Sequence, residues 1–219
     1  MDRIAKHVKR WLAFLASIST ALKLNFFVWL ARLTGKTCVI FNLHAAPLHF
    51  NFVKDLINRL HQDRKFFILI ACDFKKDQAE IATRFIPFIK ADYVLTLDAG
   101  RAHIHRQSKL IHVPHSLASM HVIYPEGAFD NFDYIFCAGP HHLYELSTML
   151  PQRGVRNCIL VPAGYEVVDR LISADVSNTN TLPVILFAPS WGDGNALALK
   201  GVDIIAALIE EYEIILRPH

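Results

Sequence analysis

The stretch KLIHVPHSLASMHVIYPEGAFDNFDYIFCAGPHHLYEL, residues 109 to 146, decides how the chain is organised. It opens on a short apolar run, Leu110-Ile111-His112-Val113, which Pro114 ends, with His115 directly after it. A second run, Tyr134-Ile135-Phe136-Cys137-Ala138, ends in Gly139-Pro140. Runs this short, apolar throughout and stopped by a turn residue are those of strands buried on both faces. Parallel α/β sheets put their ligand chemistry just beyond the carboxyl ends of such strands. His115, Gly139 and His141 stand at those ends.

Outward from this stretch the pattern repeats. Residues 37–43, 66–72 and 93–97 read as strands before it, and residues 158–161 as a strand after it. Residues 51–62, 77–89 and 141–150 read as helices, and residues 44–49 as the loop after the first strand. Strands alternating with helices predict an α/β fold, a Rossmann-like, mostly parallel sheet covered on both faces. Residues 173–182, SADVSNTNTL, are polar and aperiodic and read as an interdomain linker. Beyond them a strand (183–188), a loop (189–194), a helix (200–211) and a strand (213–216) lead to Arg217-Pro218-His219. A lone β-α-β unit cannot close a domain. The expectation is therefore a second domain that is only begun, in a truncated or partial product.

Composition narrows the class. Of the 219 residues 53% are hydrophobic, enough for a large core and too many for a disordered chain. The net charge of +3, without a Lys/Arg block long enough to track a phosphate backbone, argues against a general nucleic-acid binder. Cys38, Cys72, Cys137 and Cys158 lie in or beside the expected strands and form no C-x-x-C pair, the pattern of reduced core cysteines. Dinucleotide, P-loop and serine-hydrolase signatures are missing.

Residues 3–33 read as one helix, with Trp11, Phe14, Leu15, Ile18, Leu22, Phe26, Trp29 and Leu33 on one face and Arg3, Lys6, Lys9 and Arg10 at its head. A transmembrane span would put Lys23 near the bilayer centre, at a cost of ~2.5–3.5 kcal/mol. A signal peptide would not continue the helical pattern past its cleavage point. An interfacial helix on a membrane surface, or a helix packed on its own domain or on a partner, remains, and the basic head with its tryptophans favours the interface.

Five segments in order carry a family resemblance: VPHSLASMH, FDNFDYIFCAGP, ILVPAGYEVVDRL, VILFAPSWGD and IILRPH. Over about residues 39–219 the series resembles the CDP-glycerol glycerophosphotransferases, the membrane-associated teichoic-acid polymerases and their relatives in polysaccharide assembly. The resemblance implies a GT-B arrangement. Residues 1–34 would be the amphipathic helix, 35–172 an acceptor-side Rossmann-like domain, 173–182 the linker, and 183–219 the start of a C-terminal nucleotide-binding domain. It implies transfer of glycerol phosphate or a related polyol phosphate from a CDP-activated donor to a membrane-bound glycan or teichoic-acid-type acceptor, with no cofactor and no metal. The protein would work in the cytoplasm, peripherally on the inner face of the cell membrane. The alternatives are a GT-B glycosyltransferase or epimerase using a UDP- or CMP-sugar, or a truncated, non-catalytic binding remnant.

The resemblance also implies residue roles. His115 stands where the family's His-Gly-Thr turn carries its proposed base, with Ser116-Leu117 in place of Gly-Thr. Histidine titrates near neutrality and suits that task. Arg217 and His219 match an R-x-H pair implicated in holding the donor phosphates, and Arg offers phosphate a bidentate fork. Asp193 matches the aspartate of a Trp-Arg-Asp segment, with Gly192 in place of the arginine. Asp169 matches another motif aspartate, although Glu166 and Val167 replace the proline and arginine before it, and helix capping is an equal reading. His44 and His49 flank the first βα loop and could line the acceptor cleft. His103-x-His105 would face one way on a strand, but the flanking Arg101 and Arg106 oppose a cation there. His141-His142 opens a helix, where capping or attraction of an anion is expected.

Overall fold

The computed structural model of the protein describes residues 2–43, 47–71, 80–81, 83–100, 103–174, 182–189 and 197–217. The chain divides into two compact units, Met1–Ser173 and Ala174–His219. The first opens with helix α1 (Asp2–Leu33) and continues with β1 (Thr37–Asn42), α2 (Pro47–Gln62), β2 (Phe66–Ala71), β3 (Glu80–Ile81) and a 3₁₀ helix (Thr83–Phe88). Then come β4 (Tyr93–Thr96), β5 (Lys109–His112), α3 (Met120–Ile123), β6 (Tyr134–Cys137), α4 (Pro140–Gln152), β7 (Ile159–Pro162) and α5 (Glu166–Ser173).

The seven strands form one parallel sheet in the order β3-β2-β1-β4-β5-β6-β7. Its register sets Ile40 beside Leu69 on one side and beside Val94 on the other. Side chains alternate between faces along each strand. Cys38, Ile40, Val94, Leu110 and Ile135 pack on one face with Val28 of α1 and with Leu146 and Met149 of α4. Val39, Phe41, Leu95 and Ile111 pack on the other with Val53 and Ile57 of α2. Both faces are covered, which is why these strands read as continuous apolar runs.

Three local expectations change. Within the helix expected over residues 77–89, the described residues do otherwise: 80–81 pair with β2, and 83–88 make a 3₁₀ turn containing Pro87. A proline there removes the donor an α-helix would need. The helix expected to begin at Asn51 begins at Pro47, whose fixed φ suits a first helical position. His49 therefore lies in the first turn of α2 and not in a loop. Finally, residues 166–173 form a helix that the sequence reading did not place, and Asp169 belongs to it. Glu166 and Asp169 in its first turn complement the helix dipole.

Helix α1 docks through its less bulky side. Ala21, Val28 and Ala31 are buried, and the Asn25 amide donates to the Phe88 carbonyl (2.7 Å) and accepts from Lys90 N–H (2.9 Å). Arg32 pairs with Asp92 at 2.6 Å, and the second oxygen of Asp92 accepts the Cys38 N–H at 2.8 Å. On the opposite side Leu22, Phe26, Trp29 and Leu33 are exposed. Among the described residues no helix is long and apolar enough to cross a membrane.

In the second unit β8 (Val184–Phe187) and β9 (Glu213–Leu216) pair in parallel, joined through a π-helical turn (Leu197–Gly201) and α6 (Val202–Leu208). Arg217 follows β9, is exposed, and donates its backbone N–H to the Phe187 carbonyl (3.0 Å).

Candidate active site

The chain leaves β1 for β2 on one side and later returns to β4 on the other, so strand order reverses between β1 and β4. Ligands of open α/β sheets bind outside the carboxyl ends at such a reversal. The β1 end carries Asn42, whose side-chain oxygen is buried and, among the described residues, has no hydrogen-bond partner. The β4 end carries Leu97, and its carbonyl oxygen lies 3.1 Å from Nδ1 of His115. His115 thus leans from the end of β5 back over the end of β4. A carbonyl can only accept, so Nδ1 carries the hydrogen and, in the neutral ring, Nε2 carries the lone pair.

Two aromatic rings stand against this histidine. Phe52 of α2 meets its ring edge-on at 6.1 Å and stacks on Tyr165 at 6.4 Å. The Tyr165 hydroxyl donates to the backbone carbonyl of His115 at 2.9 Å, and burial raises its pKa. Beneath these rings lies a cleft of about 140 Å³ between α2, α5 and the sheet, lined in part by Arg59, Pro114, Phe136 and Glu166. A wider depression of about 350 Å³ near Arg153 and Cys158 sits at the amino ends of β6 and β7. It is at the wrong edge for ligand chemistry and holds no candidate residue. One wall of the cleft is α5, tied to α2: Arg170 pairs with Asp55 (2.8 Å) and Glu166 (3.2 Å), and the Glu166 carboxylate accepts the N–H groups of Asp55 and Leu56.

The chain after His115 is held by α4. Nε2 of His141 lies 3.1 Å from the Leu117 carbonyl, and Nε2 of His142 lies 3.1 Å from the Ala118 carbonyl. Nδ1 of His142 accepts the Ala138 N–H at 3.3 Å. Burial lowers the His142 pKa, against the hydrogen bond to Ala118, which raises it. The Glu145 carboxylate accepts both the Ser119 hydroxyl and the Met120 N–H at 2.7 Å. Burial opposes charge on Glu145, but these hydrogen bonds outweigh it and its pKa falls below the usual value.

His112, two residues before Pro114, is fully buried, and among the described residues neither ring nitrogen has a hydrogen-bond partner. It sits edge-to-face among Tyr124, Phe129 and Phe132, with ring centroids 5.3–5.7 Å away. Burial, reinforced by His115 and His142, pushes its pKa down to about 3.

Of the residues singled out from sequence, His115 stands at the reversal. His44, Asp193 and His219 lie outside the described residues, as does Cys72. His49 is in α2, and Arg217 is in the second unit. His103 and His105 are on irregular chain and not on a strand, and Nδ1 of His105 accepts the Gln107 N–H. Among the described residues no group of His, Cys, Asp and Glu could hold a metal. Cys38, Cys137 and Cys158 are free, and burial raises their thiols to about 12, 11 and 11. Sequence reasoning missed Asn42, Phe52, Tyr165 and Glu145. Asn42 alone left a signal, as a polar residue closing an apolar strand.

No family model matches the sequence, and no curated protein matches it. Among solved structures the chain is similar to a protein assigned as a UDP-N-acetylglucosamine 2-epimerase from Listeria monocytogenes. The TM-score is 0.57 at 15% identity, over 84% of this chain and 63% of that one. The likeness shows the fold, an α/β Rossmann-like sheet of the GT-B type. The chain spans less than two thirds of that neighbour's length.

Proposed function

We propose that this chain belongs to an enzyme of nucleotide-activated substrates, of the CDP-glycerol glycerophosphotransferase kind. It would transfer a polyol phosphate to a hydroxyl of a membrane-bound glycan, with His115 as general base. The observation that carries the reading is the setting of His115. It stands beside the strand-order reversal with its Nδ1 hydrogen committed to Leu97, so that Nε2 is the basic nitrogen of the neutral ring. In the step proposed, Nε2 takes the proton of the acceptor hydroxyl. The acceptor oxygen bonds to the phosphorus that carries glycerol, the bond from that phosphorus to the CMP oxygen breaks, and CMP leaves. Arg217, with His219 and Asp193, would serve the donor phosphates, and His44 and His49 the acceptor side. The exposed apolar side of α1 would bring the chain to the inner surface of the cell membrane, where such an acceptor resides.

The test pairs CMP release from CDP-glycerol or CDP-ribitol with thermal melting, on full-length wild type and His115→Ala. Loss of a general base lowers turnover by ~10²–10⁴-fold, while the melting temperature should hold. Turnover in both forms alike would remove His115 from the chemistry. A second reading, chemistry on a UDP-sugar, is favoured by the fold likeness to the epimerase, and turnover with UDP-sugars alone would select it. Silence with every donor would favour the non-catalytic remnant.

A further inference from the structure

We propose that His141, His142 and Glu145 are positioning residues that set the orientation of the His115 ring; the inference rests on the reading of His115 as the base. The loop from Pro114 to Met120 has no regular backbone pairing of its own, yet four successive polar groups near its end are held by one helix. The Leu117 and Ala118 carbonyls are consecutive, and each receives an imidazole N–H from consecutive residues of α4, both at 3.1 Å. The next two donors, the Ser119 hydroxyl and the Met120 N–H, go to the two oxygens of one carboxylate a helical turn further on, both at 2.7 Å. One face of the first two turns of α4 therefore dictates four successive hydrogen bonds of the loop.

This arrangement is not ordinary helix capping. A capping side chain serves its own helix. His141 and Glu145 instead serve a segment more than twenty residues earlier in the chain, and His142 serves both, through Nδ1 to Ala138 and through Nε2 to Ala118. The fit extends to Gly139. A methyl group there would lie 3.0 Å from Nδ1 and 3.1 Å from Cε1 of His141, so the glycine leaves room for that ring. Its φ of −169° is extended backbone that any residue adopts, so clearance is its function here, not backbone freedom.

On the far side His115 is tied by the Leu97 carbonyl and by the Tyr165 hydroxyl. Two ties fix the residue and four fix the chain that leaves it. A base must hold its reacting nitrogen within hydrogen-bond reach of the acceptor oxygen, and small misplacements are costly in rate. Loosening the α4 side should let the His115 ring leave Leu97 and exchange tautomers.

The experiment reads that directly. Imidazole ¹⁵N spectra of the full-length protein should show His115 as a single Nδ1–H tautomer in wild type. The His141→Leu and Glu145→Ala variants should give a mixture of tautomers, and amide exchange over residues 116–120 should rise by about tenfold for each net hydrogen bond lost. His141→Gln, which can still donate to Leu117, should recover the wild-type spectrum. Unchanged tautomer and exchange in the double variant His141→Leu/Glu145→Ala would overturn the inference, as would equal effects of His141→Gln and His141→Leu. None of these readouts needs turnover. A protein inactive on every donor would sink the proposed reaction while leaving this test intact. With an active protein, the variants should lower kcat and leave the donor KM within a few-fold; a change in KM alone would also count against positioning.

Discussion

His112 should make the first unit acid-labile in a way that one substitution removes. In the folded chain its pKa lies near 3, against an ordinary value of 6.5. Above pH 6.5 both folded and unfolded chains hold the ring neutral, and the group adds no pH dependence. Below it the unfolded chain takes up a proton that the folded chain refuses, so stability falls as pH drops toward the folded pKa. At about pH 4.5 the difference amounts to about 3 kcal/mol, a large share of a typical domain's stability. His112→Leu removes the titration and the two buried ring nitrogens. At neutral pH the relief of unpaired polar atoms, about 1–3 kcal/mol, offsets the lost aromatic edge contacts, about 0.5–1.5 kcal/mol per pair. The variant should therefore be about as stable as wild type at neutral pH and clearly more stable in acid. Urea unfolding followed by circular dichroism at both pH values measures the two differences. If acid destabilises wild type and His112→Leu by the same amount, the ring is not the buried neutral group described above.

Two further outcomes follow from the fold. Asp92→Ala strips the Cys38 N–H of its acceptor and Arg32 of its partner; since the ion pair is half-exposed, most of the expected loss of about 1–2 kcal/mol comes from the orphaned amide. Asp92→Asn, which keeps an acceptor, should recover part of it, and equal urea midpoints for Asp92→Ala and wild type would refute the assignment. Phe26→Ser with Trp29→Ser should leave melting unchanged, because both rings are over half exposed. The pair should weaken sedimentation with anionic vesicles by more than about tenfold; equal pelleting would count against a membrane-facing α1.

The sheet was legible because burial on both faces removes the polar alternation that would otherwise blur a strand. Residues 37–42 and 134–137 could hardly be anything else. The segment before Pro87 misled because its composition tolerates a helix, while residues 80–81 add to the edge of β2 and Pro87 lacks the donor an α-helix would use; the short α5 around Asp169 has too few turns to show a period. At the site, the rule about carboxyl ends located His115 from residues adjacent in sequence. The service that His141 and Glu145 render to Leu117 and Met120 spans 24 and 25 residues and depends on ring orientation, which no spacing rule encodes. His112 was read as one member of an apolar run, and that is how it behaves.

The central place of β1 bears on how the chain acquires its structure. Every strand pair among the described residues is parallel, so none of these can close as a hairpin, and each waits for a crossover to fold first. β1 meets β2 early, but its other edge stays open until residue 93, where Tyr93 comes to lie beside Val39. Sheets assembled wholly from such distant pairings fold in milliseconds to seconds and not microseconds. A nascent chain would thus carry a largely apolar strand with one edge unpaired while some fifty further residues are made, and helices α1 and α2, the first local structure available, are placed to shield it from both sides.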